Sequence, residues 1–203
     1  NMNLLTANKA ILMDEETPQH EHLKNALAPI AEKYDFVVID NSPDASMSVI
    51  NALTAGDDFI IPVKVDGFTF DGIDFMLDYA RQVRDNFNPR LTFRGCLITN
   101  YRMNDVTLAG ARHLRMNGYS LFQTRIHWTA KVDESTFAGK PLNEYSPRSW
   151  AARNYRQMAK EYLSMIGMKM CPNRTRNQEN VKGRNVSNSD TCPTRRKKTW
   201  VLT

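Results

Sequence analysis

Short, unbroken apolar runs take turns along this chain with longer runs whose apolar residues recur every three or four positions. Residues 18–33 carry Leu23, Ala26, Leu27 and Ile30 at that helical spacing, which predicts an amphipathic helix. Phe36-Val37-Val38-Ile39 follows as a compact apolar run ending in Asp40. Asp44-Ala45-Ser46 then reads as a helix cap ahead of Val49, Ile50 and Leu53. Phe59-Ile60-Ile61-Pro62-Val63 is a second strand candidate. A longer helix is expected from Asp71-Gly72 to Phe87, stopped before Pro89. Residues 91–99 are a third strand candidate, and 105–117 a helix closed by Asn117-Gly118. Residues 121–127 are a fourth strand candidate, and a last helix starts near Pro147-Arg148-Ser149 and runs through Tyr155, Met158 and Tyr162.

Continuous apolar strands separated by helices are the signature of a mostly parallel sheet covered on both faces. The fold class expected is therefore α/β, doubly wound. A chain of 203 residues suits one such domain with an appendage. The domain is expected over residues 1–168, and residues 169–203 read as a basic, disordered tail. The reason is compositional. Of the 27 Lys and Arg residues, eight lie in 171–203 against Glu179 and Asp190, while 1–170 holds 19 basic and 20 acidic residues. The tail has few aliphatic residues before Val201-Leu202, too few to offset its ordering entropy. Its Arg195-Arg196-Lys197-Lys198 run is suited to an anionic surface or to plain solvation.

Several function classes drop out at this level. No apolar stretch has the roughly 18 residues needed to span a bilayer. The start lacks the build of a signal peptide and is not a Met, which points to a fragment. Cys96, Cys171 and Cys192 lack the spacing of a zinc site or a disulfide framework, so a reducing cytoplasm is expected. The Asn173 and Asn185 sequons then read as accidental. His20 and His22 stand two apart, which on a helix points them to different faces.

Candidate chemistry collects at strand ends, where open α/β sheets bind ligands. Asp40 closes an apolar run as a Mg²⁺-holding acid of a nucleotide site does, although an Asp capping the next turn has the same pattern. Asn100 offers a donor and an acceptor suited to a purine edge, or serves a turn. His127-Trp128-Thr129 offers rings that can wall a base or simply pack.

Taken jointly, several segments resemble the ParA family of partitioning ATPases, with the MinD branch as a close relation. They are residues 34–43, 51–63, Phe70-Asp71-Gly72-Ile73, Phe137-Ala138-Gly139-Lys140-Pro141-Leu142, Tyr145-Ser146-Pro147-Arg148-Ser149 and Ala152-Arg153-Asn154-Tyr155. The resemblance covers about residues 4–166, in order. It implies an ATP- and Mg²⁺-dependent homodimer that binds nonspecific DNA, answers to a ParB-like centromere-binding protein, and works in the cytoplasm on the nucleoid.

By the same resemblance Asp40 is the Walker B acid, and Asn41-Ser42-Pro43 the switch that reads the γ-phosphate. Asp44 departs from the small or apolar residue usual after that Pro. Asn100 stands where relatives contact adenine. His127 and Trp128 replace the usual Pro and Arg of a base-contacting loop. Lys131 matches a DNA-binding basic residue of relatives, joined by Arg112 and Arg115 on one helix and Arg148, Arg153 and Arg156 near another. The family's Gly-rich Walker A loop has no counterpart, for no Gly-Lys-Thr or Gly-Lys-Ser occurs, and Lys64 and Lys140 lack its glycines. The expectation is an N-terminally truncated ATPase that binds ATP weakly and does not hydrolyse it alone, leaving an apolar sheet edge or face exposed. The alternative is a nucleotide-independent short form that pairs with DNA or a full-length relative. A cell-division regulator or metallochaperone of the same superfamily is a weaker option, and 171–203 lacks the apolar helical stripe of a membrane anchor.

Overall fold

The computed structural model describes residues 18–42, 44, 46–66, 69–168 and 198–202. Four parallel strands form one sheet: β1 (Phe36–Asp40), β2 (Asp58–Lys64), β3 (Thr92–Thr99) and β4 (Lys198–Leu202), in the order β1-β4-β2-β3. The helices are α1 (His22–Ala31), α2 (Met47–Ala55), α3 (Thr69–Asn86), α4 (Asp105–Met116), α5 (Ala130–Phe137), α6 (Leu142–Tyr145) and α7 (Trp150–Met165). The expected α/β class is the one observed.

Side-chain alternation along β2 sorts the helices onto two faces. Phe59, Ile61 and Val63 pack with Val49 and Leu53 of α2, Ile73 and Met76 of α3 and Leu114 of α4. Ile60 turns the other way and joins Leu97, Phe122, Ile126 and the α7 residues Ala151, Met158 and Tyr162. These β2 residues are buried on both faces, so the run reads as continuously apolar rather than alternating.

Two expectations fail. Residues 121–127 form no strand; they meet β3 and the residues just after it at the isolated bridges Cys96–Leu121 and Tyr101–His127 and where Ile126 N donates to the Ile98 carbonyl at 2.8 Å. Between those points the amides of Gln123 and Thr124 turn to the Glu161 carboxylate of α7, at 2.5 and 2.9 Å, and so leave the ladder. The second failure is at the end of the supposed tail. Residues 198–202 are not disordered but form β4, inside the sheet, with Val201 wholly buried. Residues 169–197, including Cys171 and Cys192, lie outside the described residues. At the sheet edge, β1 is thinly covered, and Val38 is 56% exposed.

The helix limits follow local chemistry. Asn104 caps α4 by accepting from the Thr107 amide at 2.9 Å, and Ser149 caps α7 by accepting from Ala152. The α4 end at Asn117 is followed by Gly118 at φ +81°, the left-handed turn expected of Asn-Gly. Ser46 stands at the start of α2 without a side-chain capping bond, so the predicted position holds but the capping contact does not form.

Candidate functional site at the carboxyl edge of the sheet

All four strands are parallel, so Asp40, Lys64, Thr99 and Leu202 end at one edge. Asp40 closes β1 with an exposed carboxylate, register-paired with Leu202 of β4. The next amide, Asn41 N, donates to the Leu202 carbonyl at 3.0 Å, which fixes how the chain leaves the strand. The Asn41 side-chain Nδ2 is buried and has no hydrogen-bond partner among the described residues. A buried amide without a partner costs about 1–3 kcal/mol. Ser42 is exposed and accepts from the Asp44 amide at 2.9 Å; Pro43 lies outside the described residues.

At the far end of the same edge, Asn100 leaves β3 with φ +51°, a left-handed backbone that Asn tolerates better than most residues. Tyr101 follows, buried. Three strand steps of about 4.8 Å separate the β1 and β3 positions, or roughly 14 Å, with β4 and β2 between. The edge thus carries an exposed carboxylate and an unpartnered amide at one end and an aromatic group at the other.

That aromatic group is a connected set. The His127 ring meets Tyr101 edge-on at 5.0 Å and Trp150 at 5.5 Å. Asn154 of α7 fixes it: its Oδ1 lies 3.0 Å from His127 Nδ1 and accepts from the His127 amide at 3.2 Å. Trp128, 46% exposed, carries the Arg102 guanidinium over its ring at 4.0 Å. Sequence reasoning found His127 and Trp128 but assigned no role to Asn154 or Arg102. The His127–Asn154 pair spans 27 residues, and no local pattern signals it.

Beside this set lies a groove of about 920 Å³ between residues 123–127 and α7, lined by Tyr101, Arg125, His127, Asn154 and Lys160 among others. Of the sequence-predicted site residues, His127 is the one in its lining. Arg125 is held there, its Nη1 donating to Tyr101 Oη at 3.0 Å.

The residues expected to meet DNA are divided by the sheet. Arg112 and Arg115 are exposed on α4, which packs on the α2–α3 side. Arg153 and Arg156 lie on α7 and Arg148 just before it, on the opposite side. Arg156 donates to Asn143 at 3.1 Å and to the Pro147 carbonyl at 2.5 Å, tying α7 to α6. Lys131 at the start of α5 pairs with Glu134 at 2.7 Å. This pairing holds the Lys131 ammonium above its ordinary value and, with a bond from Tyr145, holds the Glu134 carboxyl below its own.

With this geometry in hand, the chain can be set beside known proteins. A family model described as an AAA domain matches residues 1–93. The sporulation initiation inhibitor protein Soj of Bacillus subtilis is 32% identical over 143 residues, covering 68% of this chain and 56% of that protein. The chain belongs to the ParA/Soj family. An uncharacterised Mycobacterium tuberculosis protein is 33% identical over 175 residues, covering 83% of this chain and 55% of its own length. The chain thus spans just over half the length of these relatives.

Among solved structures, cobyrinic acid a,c-diamide synthase of Mycobacterium smegmatis, crystallised with an ATP analog and magnesium, superposes with a TM-score of 0.66. It is 24% identical, with 84% of this chain and 63% of that one covered, a likeness of fold.

Proposed function

We propose that this chain is the nucleotide-switch and DNA-facing portion of a partitioning ATPase, with ATP and Mg²⁺ at the carboxyl edge of the sheet. The observation that carries the reading is the adjacency of the exposed Asp40 carboxylate and the unpartnered, buried Asn41 amide. Mg²⁺ keeps several waters and takes one or two carboxylates together with phosphate oxygens, so one strand-terminal acid suits it. A bound triphosphate supplies the phosphoryl group to be transferred. Asp40 holds the metal's water shell, and the Asn41 Nδ2–H donates to a phosphate oxygen. Ser42 and Pro43 relay the state of that contact into α2. Asn100, His127 and Trp128 contact the base, with Asn154 fixing the His127 ring.

Phosphate cradling is the part these residues do not supply, since the sequence has no Gly-rich Lys loop. The chain alone is therefore expected to bind ATP weakly and not to hydrolyse it. Lys131, Arg148 and Arg153 on one side of the sheet, with Arg112 and Arg115 on the other, supply phosphate contacts to nonspecific DNA. Arg156, bound within the protein, contributes less. Homodimerisation, a ParB-like partner and a cytoplasmic, nucleoid-associated location complete the proposal. Among the described residues no helix is long and apolar enough to cross a membrane.

The test is ATP-dependent dimerisation and DNA retention of this chain beside a longer chain that adds a Gly-rich Lys loop upstream. Gain of both by the longer chain alone supports the reading. Equal DNA binding by the short chain without nucleotide favours a nucleotide-independent binding module. Rapid ATP hydrolysis by the short chain would sink the assignment of the missing cradle.

A further inference from the structure

The sheet is completed by its last strand in sequence, and that strand sits inside it. β1 has β4 as its ladder partner, from Phe36↔Lys198 to Asp40↔Leu202. β4 also pairs with β2 from Asp58↔Trp200 to Ile60↔Leu202. Without β4, β1 would have no ladder among the described residues and β2 would show a bare edge. Such an edge exposes amide and carbonyl groups that seek an extended segment.

β4 fits this slot in three independent ways. Its backbone is held at both ends: Asp57 N donates to Thr199 O at 2.9 Å, and Asn41 N to Leu202 O at 3.0 Å. In volume, the buried Val201 fills the space a side chain would take at Gly56, where an added Cβ would lie 2.7 Å from Val201 Cγ2. In charge, Lys198 Nζ lies 3.3 Å from Oδ2 of the wholly buried Asp58. The slot therefore selects an extended segment with a cation first and a branched aliphatic residue fourth.

The connection to β4 differs from the others. β2 reaches β3 through α3, whereas β4 is joined to the body through residues 169–197, 29 residues with eight Lys or Arg and few aliphatics. A stretch of that length can span up to about 95 Å when extended, enough to reach a second body.

We propose that the slot between β1 and β2 is a strand-acceptor site, and that two copies of this chain exchange β4 through it, each closing the other's sheet. Every contact named above is available to a second copy's β4, because the exchanged element is identical. Tethering gives the cis strand an effective concentration in the millimolar range, so exchange is set at refolding and at high protein concentration. The inference does not depend on nucleotide binding.

Two reciprocal variants test it. Gly56→Ala leaves a slot too tight for Val201, and its backbone at φ −79°, ψ 150° accepts alanine. Val201→Ala gives a strand too small for the original slot. In an exchanged heterodimer one slot regains its original strand and the other receives the smaller one. Unfolded together and refolded near 100 μM, the pair is expected to give heterodimer several-fold above either homodimer in native mass spectrometry. Monomers alone, or dimers in statistical proportion, would overturn the proposal. Where those variants do not refold, Val37→Cys with Thr199→Cys, in a chain with Cys171→Ser and Cys192→Ser, links register partners. Interchain linkage rising with refolding concentration supports exchange; intrachain linkage at every concentration, or none at all, refutes it.

Discussion

Arg94 holds the buried carboxylate of Asp58 with two nitrogens on one oxygen, Nε at 2.8 Å and Nη2 at 2.7 Å from Oδ1. The pairing depends on an irregularity. The β2–β3 register runs Phe59↔Phe93 and then Ile60↔Gly95, so Arg94 is the extra residue of a bulge, followed by Gly95 at φ +130°. Tyr162 Oη from α7 and Lys198 Nζ from β4 bind the other oxygen. Four elements thus meet at one carboxylate, at the edge opposite Asp40.

Removing one partner of a buried ion pair leaves an uncompensated charge, at a cost of about 3–5 kcal/mol. Arg94→Met is expected at the lower end, about 3 kcal/mol, because Lys198 and Tyr162 remain. Tyr162→Phe is expected to cost about 1–3 kcal/mol, the loss of one hydrogen bond to a charged group. Urea unfolding checks both. A change below 0.5 kcal/mol in Arg94→Met would show that water reaches Asp58.

Alkaline pH is expected to destabilise the fold before any acid effect from these groups. Burial pushes the Cys96 thiol from 9.0 to about 12; burial and then the Asp58 bond raise the Tyr162 phenol. The Asp74 bond, chiefly, raises Tyr119 from 10.0 to about 12. In each case the native state keeps a proton that the unfolded chain releases, so stability falls as pH rises. The contribution is complete below about pH 9 for the thiol and pH 10 for the phenols; that of Cys96 and Tyr119 is lost toward pH 12, and that of Tyr162 declines as pH rises above its ordinary value. Thermal melts across pH 8–12 should show this fall, with a shallower slope in Tyr162→Phe.

Asn100 separates backbone from chemistry. Its φ of +51° is free for glycine and costs a β-branched residue about 1–2 kcal/mol. Asn100→Gly should keep or slightly raise the melting temperature, whereas Asn100→Val should lower it. If Asn100 contacts a base, both lose affinity for a fluorescent adenine nucleotide in a nucleotide-binding longer chain. Unchanged affinity in Asn100→Gly would remove it from the site.

Glu161 guards the segment that failed to become a strand. Its carboxylate accepts from the amides of Gln123 and Thr124, which would otherwise form an open edge. Glu161→Ala should speed hydrogen exchange at those two amides at least ten-fold while leaving Ile98 protected. Equal slowing or quickening across the whole of β3 would mean the contact is part of the core.

Much of this was legible in one dimension, because period and composition are local. Phe59–Val63 reads as a buried parallel strand since the β2 residues facing either layer are apolar, and Asn117-Gly118 announces the end of α4. Asp40 was found for the same reason: an apolar run ending in an acid needs no distant partner to be noticed. The 121–127 run misled because an apolar pattern does not reveal where its amides will find acceptors, and the acceptor is Glu161, some 37 residues away.

The α/β class, most helix boundaries and the strand-end carboxylate are consequences of side-chain pattern and chain stiffness over a few residues, and so could be read along the chain. That Lys198–Leu202 is a strand depends on contacts across the folded sheet. Alone, this segment is a basic run with a short apolar end; it becomes ordered because β1 and β2 offer two rows of backbone partners, Gly56 leaves room for Val201, and Asp58 waits for a cation. Those conditions come from residues 140 or more positions away, and their cooperation exists only when the sheet is assembled.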